Sequence, residues 1–172
     1  MSALKFLLGL AAAVLVQFVG VKLFPDFPRV VDVFLVVVAL HAFSGNSLTA
    51  LLAGLLVGLL EDTLTGGGLY GLYGFADTII GYSVARLAQR LVIQRATGVL
   101  GVISFASLAQ QGIVVGLALL LLPSPPLPRP LWVGIKALGC GILGMLLYAG
   151  AARWTRTYES RRRGRMSRLR MG

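Results

Sequence analysis

Long apolar runs separated by short polar or proline- and glycine-rich breaks set the pattern of this chain. Residues 4–23 (LKFLLGLAAAVLVQFVGVKL) form the first run. A helix of ~20 residues rising ~1.5 Å each crosses the hydrocarbon of a bilayer, so this run predicts a membrane-spanning helix. Lys5 resembles the basic start of a signal peptide, but no small-x-small cleavage site follows, so the segment is expected to remain as an uncleaved anchor. Residues 25–29 (PDFPR) are predicted to form a loop, because Pro28 lacks an amide donor and disfavours helical geometry at Phe27.

Residues 30–43 and 48–60 are apolar again and are broken only by Ser44-Gly45-Asn46-Ser47, which predicts a helical hairpin with a tight turn opening on capping residues. Both arms are short for a span, so one is expected to be tilted, shielded by its neighbours or re-entrant. Residues 61–71 (EDTLTGGGLYG) combine two acids with three consecutive glycines and predict a non-helical loop. Residues 72–88, 98–122 and 131–152 give three further spans, the last two joined by PSPPLPRP (residues 123–130), a short and stiff connector. The pattern therefore predicts an all-α polytopic membrane protein with six transmembrane helices. Residues 1–152 would be the membrane domain and residues 153–172 a basic tail.

Composition agrees: 57% of residues are hydrophobic, 13% are charged and the mean hydropathy is +0.86, which excludes an ordinary soluble domain. The net charge of +10 is concentrated at one end, since eight of the sixteen basic residues lie between Arg153 and Arg170. These eight (Arg153, Arg156, Arg161, Arg162, Arg163, Arg165, Arg168, Arg170) form a candidate membrane-surface anchor. Each would gain roughly 1 kcal/mol from anionic lipids near the surface. A plain topology anchor and a docking segment for a cytoplasmic protein are the other readings. No aromatic interleaving or folded basic face points to nucleic acid.

The bias of Lys and Arg toward the cytoplasmic side orients the chain. Cytoplasmic termini place Lys5, Arg86, Arg90, Arg95 and the eight tail arginines inside, twelve against the four (Lys22, Arg29, Arg129, Lys136) outside. The same choice puts Asp26, Asp32, Glu61, Asp62 and Asp77 at or near the outer face.

Candidate chemistry is sparse. Cys140 and His41 are each the single residue of their type, which leaves no disulfide framework, paired-thiol zinc site or histidine-rich metal set. The metalloprotease, nucleophile-elbow, phosphate-loop and dinucleotide signatures do not occur, so neither an enzyme nor a cofactor is expected. An aspartic peptidase would need two carboxylates a few ångströms apart, Asp32 or Asp62 with Asp77, and nothing in the sequence fixes that geometry.

Small residues recur at helical spacing at Ala50, Gly54 and Gly58, and at Gly134, Ala137, Gly141, Gly144, Tyr148 and Ala151, predicting close helix packing. In residues 98–122 a face of Gly101, Ser104, Leu108 and Gln111 is expected to point inward. Asp77, about five residues into its span, is expected to have a partner, because a carboxylate deep in a membrane is costly. Asp32 and Asp62 reach the same level, with Lys136 or Arg29 as counter-charge; alternatively Asp32, Glu61 and Asp62 simply face headgroups and water.

The run from residue 25 to 85, above all GLLVGLLEDTLTGGGLYGLYGFADTIIGY, resembles the MreD family of rod-shape-determining membrane proteins. In that pattern a proline-acid pair opens the second span, a glycine-rich span ends in an acid, and a glycine-rich turn with Leu-Tyr-Gly starts the next. Pro25-Asp26, Gly54, Gly58, Asp62, Gly66, Gly67, Gly68 and Leu69-Tyr70-Gly71 fill those places.

The resemblance implies a non-enzymatic subunit of the elongasome, the machine of lateral peptidoglycan synthesis, in the bacterial cytoplasmic (inner) membrane. Such a subunit binds MreC and links MreB filaments to the RodA synthase and its transpeptidase. It also implies a six-helix arrangement similar to the substrate-binding subunits of ECF vitamin transporters, which is the alternative function; there the loop of residues 61–73, with Asp77, would form the pocket. The expected partner surface is the acidic, glycine-rich region of Gly54, Gly58, Asp62, Gly66, Gly67, Gly68, Tyr70, Tyr73 and Asp77, with the two tyrosines as amphipathic anchors.

Overall fold

The structure, a computed structural model, describes residues 3–44, 46–65, 70–90, 96–123 and 128–169, the last of these in backbone only beyond residue 152. Among the described residues the chain is helical: α1 (Ala3–Leu23), α2 (Phe27–Val30), α3 (Val33–Ser44), α4 (Ser47–Thr65), α5 (Leu72–Arg90), α6 (Ala96–Leu121) and α7 (Pro130–Leu169). Four segments, Phe6–Leu23, Ser47–Thr65, Thr97–Leu121 and Pro130–Ala152, are long and apolar enough to cross a membrane, and Val33–Phe43 is a shorter apolar helix. This is an all-α membrane protein.

The short α3 is the hub. Val33, Phe34, Leu35, Val36, Val38, Ala39 and Ala42 are all buried, and its sides enter three separate cores. Leu35 and Ala42 join Ala50, Ile80 and Ala106 between α4, α5 and α6. Phe34 and Val38 meet Ala13 and Val57 toward α1 and α4, and Val36 and Ala39 meet Val99, Ile103 and Cys140 toward α6 and α7. A helix of 12 residues spans ~18 Å at ~1.5 Å per residue, well short of the ~30 Å hydrocarbon. It is accommodated because neighbouring helices, not lipid, surround it, which is the shielded arm of the predicted hairpin. The outermost helix is α1, whose span is only 11% buried.

Two predicted breaks differ from the structure. Residues 27–30 form a one-turn helix with proline at its start rather than a plain loop. A proline in the first turn lacks only an amide that has no partner there in any case. Helix α4 runs through Glu61 and Asp62 to Thr65 rather than stopping before Glu61. Its last turns are reinforced by the Thr63 and Thr65 hydroxyls, which donate to the carbonyls of Leu60 and Glu61.

The predicted inward face of α6 is rotated. Gly101 and Leu108 are exposed, whereas Val99, Ile103, Ala106, Ser107 and Gln110 are buried. A shift of one residue turns a helix face by ~100°. Of the predicted α7 stripe, Ala137, Gly141 and Gly144 are buried, but Gly134 and Ala151 are exposed. The backbone of α7 continues unbroken from its apolar part into the basic segment as far as Leu169. The side chains of Arg153 to Arg168, and Arg170 altogether, lie outside the described residues.

Candidate functional site

Between α3, α4, α5, α6 and α7 the structure gathers charged and polar side chains in the bundle interior. The chain leaves α2 through an extended Val31, which aims Asp32 inward. The Asp32 amide donates to the Cys140 sulfur at 3.2 Å, its Oδ1 accepts the Leu35 amide at 3.0 Å, and its Oδ2 lies 2.8 Å from Lys136 Nζ. Asp32 is therefore both the N-cap of α3 and one half of an ion pair with α7. Lys136 also sits 5.7 Å from the ring centre of Tyr73, within cation–π range. Of the two counter-charges predicted from sequence, Lys136 serves the cluster; Arg29 pairs instead with Asp26 in an exposed contact.

Asp62, in the last turns of α4, caps α5 from outside. Its Oδ2 accepts the amides of Gly71 at 3.0 Å and Gly74 at 2.9 Å, and its Oδ1 accepts that of Tyr73 at 3.2 Å. Gly71 has φ +97°, a left-handed conformation that glycine adopts without strain. This cap fixes how α5 folds back on α4, and small residues allow the close contact that follows. A Cβ on Gly58 would come within 2.5 Å of the Tyr73 carbonyl, and one on Gly54 would overlap the Asp77 carbonyl. Asp62→Ala is expected to leave three amides without acceptors and cost about 1–3 kcal/mol. Thermal unfolding in detergent would show the loss, and hydrogen exchange should accelerate at Gly71, Tyr73 and Gly74 first.

Asp77 is fully buried, and its Oδ1 accepts the Gln110 Nε2 at 2.7 Å. The expected partner for this carboxylate exists: its hydrogen bond comes from Gln110 of α6 rather than from Lys136 or Arg29. Glu61 is 4% exposed, and the charges acting on it are those of Asp32, Asp77 and Lys136.

The sequence-predicted surface divides accordingly. Gly54, Gly58, Asp62 and Asp77 are buried along the α4–α5 seam, and Tyr73 is half-buried beside Lys136, while Tyr70 is 76% exposed at the end of that seam. Gly66, Gly67 and Gly68 lie outside the described residues. Glu61, Gln110, Lys136 and Cys140 complete the cluster. Gln110 could have been found only by choosing the right phase for α6, and nothing in the sequence distinguishes Cys140 from a packing residue.

Two cavities flank α1. One of about 290 Å³ is lined by Phe6, Ala13, Val37, His41 and Leu143 among others. The other, of about 560 Å³, lies between Gln17, Phe18, Val21, Lys22, Pro28, Leu64 and Thr65. Of the 61–73 segment proposed for a transporter pocket, Leu64 and Thr65 reach the larger cavity, while Asp77 is sealed inside the bundle. Among the described residues no group of three or more His, Cys, Asp or Glu side chains is placed to hold a metal ion.

Compared with family models, curated proteins and solved structures, the chain matches none. The resemblance of residues 25–85 to the MreD family therefore rests on their sequence pattern alone.

Proposed function

We propose that the chain is a non-enzymatic membrane scaffold of the MreD type, a multi-pass elongasome subunit that binds MreC and links MreB to RodA and its transpeptidase. The observation that carries this reading is the way the resembling run folds. Residues 54–65 and 70–77 form one unit in which α4 and α5 lie against each other through Gly54 and Gly58, Asp62 caps the returning helix, and Tyr70 stands exposed at the end of that seam. Gly54, Gly58 and Asp62 of the motif are used to build the hairpin. Tyr70 is left to meet a partner. A tyrosine suits that role because it offers a large, stiff, amphipathic contact.

On this reading α1, α3, α4, α5, α6 and α7 all cross the bacterial cytoplasmic membrane in an arrangement similar to ECF substrate subunits. Both termini lie in the cytoplasm, and the arginines of α7 rest on anionic lipid. The distribution of Lys and Arg supports that orientation. The test is co-purification of the tagged protein from detergent-solubilised native membranes, with mass spectrometry of what accompanies it. Recovery of MreC or RodA is expected. Recovery of an energising ATPase pair in their place would favour the transporter reading and overturn this one.

A further inference from the structure

The interior cluster is short of positive charge and of hydrogen-bond donors. Four buried carboxyl groups, Asp32, Glu61, Asp62 and Asp77, share the bundle interior with one ammonium, Lys136. Asp32 is matched by Lys136, and Asp62 by three amides at the start of α5. Glu61 and Asp77 have no counter-charge of their own. Independently of the acids, Gln110, with no exposed surface, turns its Nε2 to Asp77 and leaves its Oε1 without a partner. Glu61 Oε2 and Asp77 Oδ2 are likewise buried and lack any hydrogen bond. Three buried acceptor oxygens therefore receive no donor from the described residues, on groups linked by the Asp77–Gln110 hydrogen bond and by the charge of Asp77 acting on Glu61. Buried oxygens of this kind are costly unless a donor or cation meets them.

We propose that this cluster is a binding site for a monovalent cation, a proton or a sodium ion, held by Glu61, Asp77 and the Gln110 carbonyl oxygen. One positive charge gives the two carboxylates and the amide oxygen a shared partner, and the Lys136 charge, which also acts on Glu61 and Asp77, offsets part of the remainder. Lys136 already occupies the Asp32 side of the cluster, and its positive charge also acts on Glu61 and Asp77, which repels an ion of higher charge from the same place. In a membrane interior such groups otherwise remain as uncompensated charge. The titratable and charged groups that act on Glu61 are Asp32 ahead of α3, Tyr73 and Asp77 on α5, and Lys136 on α7. This inference does not depend on the scaffold reading.

The test uses the full chain purified in detergent and its thermal unfolding followed by circular dichroism. In the sodium arm, replacing choline chloride by sodium chloride at constant ionic strength raises the midpoint by several degrees and saturates; Glu61→Gln and Asp77→Asn lose the response. In the proton arm, sodium-free protein loses stability as pH rises, because the bound proton stabilises the folded state, and Glu61→Gln flattens that slope. Either result supports the site and identifies its occupant. Should the variants fail to fold, the parent protein still decides: infrared spectroscopy reports a protonated carboxyl in the proton arm, and a pH indicator reports proton release on sodium addition in the sodium arm. Indifference of the parent to sodium and to pH, with no protonated carboxyl band, overturns the proposal.

Discussion

Lys136→Met alone should be among the most damaging single substitutions in this protein, costing about 3–5 kcal/mol, the usual consequence of removing one partner from a buried ion pair. Methionine fills much of the lysine stem, so the loss is electrostatic rather than a packing defect. It leaves Asp32 at 2% side-chain exposure with neither the ammonium 2.8 Å away nor water to replace it, and it strips the cluster of its one fixed positive charge. The partner substitution separates these effects. Asn at position 32 can still accept the Leu35 amide as an N-cap, so Asp32→Asn combined with Lys136→Met should recover most of the lost stability. Denaturation of the parent, both single variants and the double variant forms a thermodynamic cycle. If the double variant is as unstable as the sum of the singles, the pair contributes nothing as a pair.

Gly54→Ala and Gly112→Ala should act in opposite directions, although they are the same chemical change in two membrane helices. At Gly54 the new methyl would overlap the backbone carbonyl of Asp77, and backbone cannot rotate away as a side chain can. The α4–α5 seam has to open, at about 1–3 kcal/mol or more, and Asp77 moves with it, weakening the contact with Gln110. At Gly112 no atom lies within 4 Å of the site, so alanine brings only its better helix propensity, a gain of up to ~1 kcal/mol in water-based scales. Unfolding midpoints of the two variants in the same detergent would read out both signs. Equal effects would mean that the seam is not tightly packed.

These two glycines also show what the sequence made legible and what it did not. Gly54 and Gly58 were readable as a packing stripe because small residues at helical spacing have a direct steric meaning between membrane helices. The same argument, applied to α6, chose the face of Gly101, which is open, and missed the face of Gln110. In a soluble helix, polarity marks the outside, but here lipid is as apolar as the core, so the phase of α6 had no such marker. Asp77 signalled its need for a partner through cost alone, and Lys136 was visible as a counter-charge at the outer level shared with Asp32 and Asp62. The continuation of α4 past Glu61 was hidden, because acids followed by glycines resemble a loop. What makes them helical is tertiary: Asp62 is held by amides nine, eleven and twelve residues further on.

The pairing of Asp32 with the last membrane helix carries a consequence for how the protein is made. The Asp32 amide and the Cys140 sulfur that accepts it are 108 residues apart, and Lys136 comes from the same late segment. A ribosome adding ~5–20 residues per second therefore keeps the early part of the chain waiting for seconds, its buried acid unmatched and its central short helix unsheathed on the α7 side. Until α7 arrives the nascent bundle is a provisional assembly. The Asp32–Lys136 bond thus acts as a timing mark in assembly, formed only when α7 has been delivered.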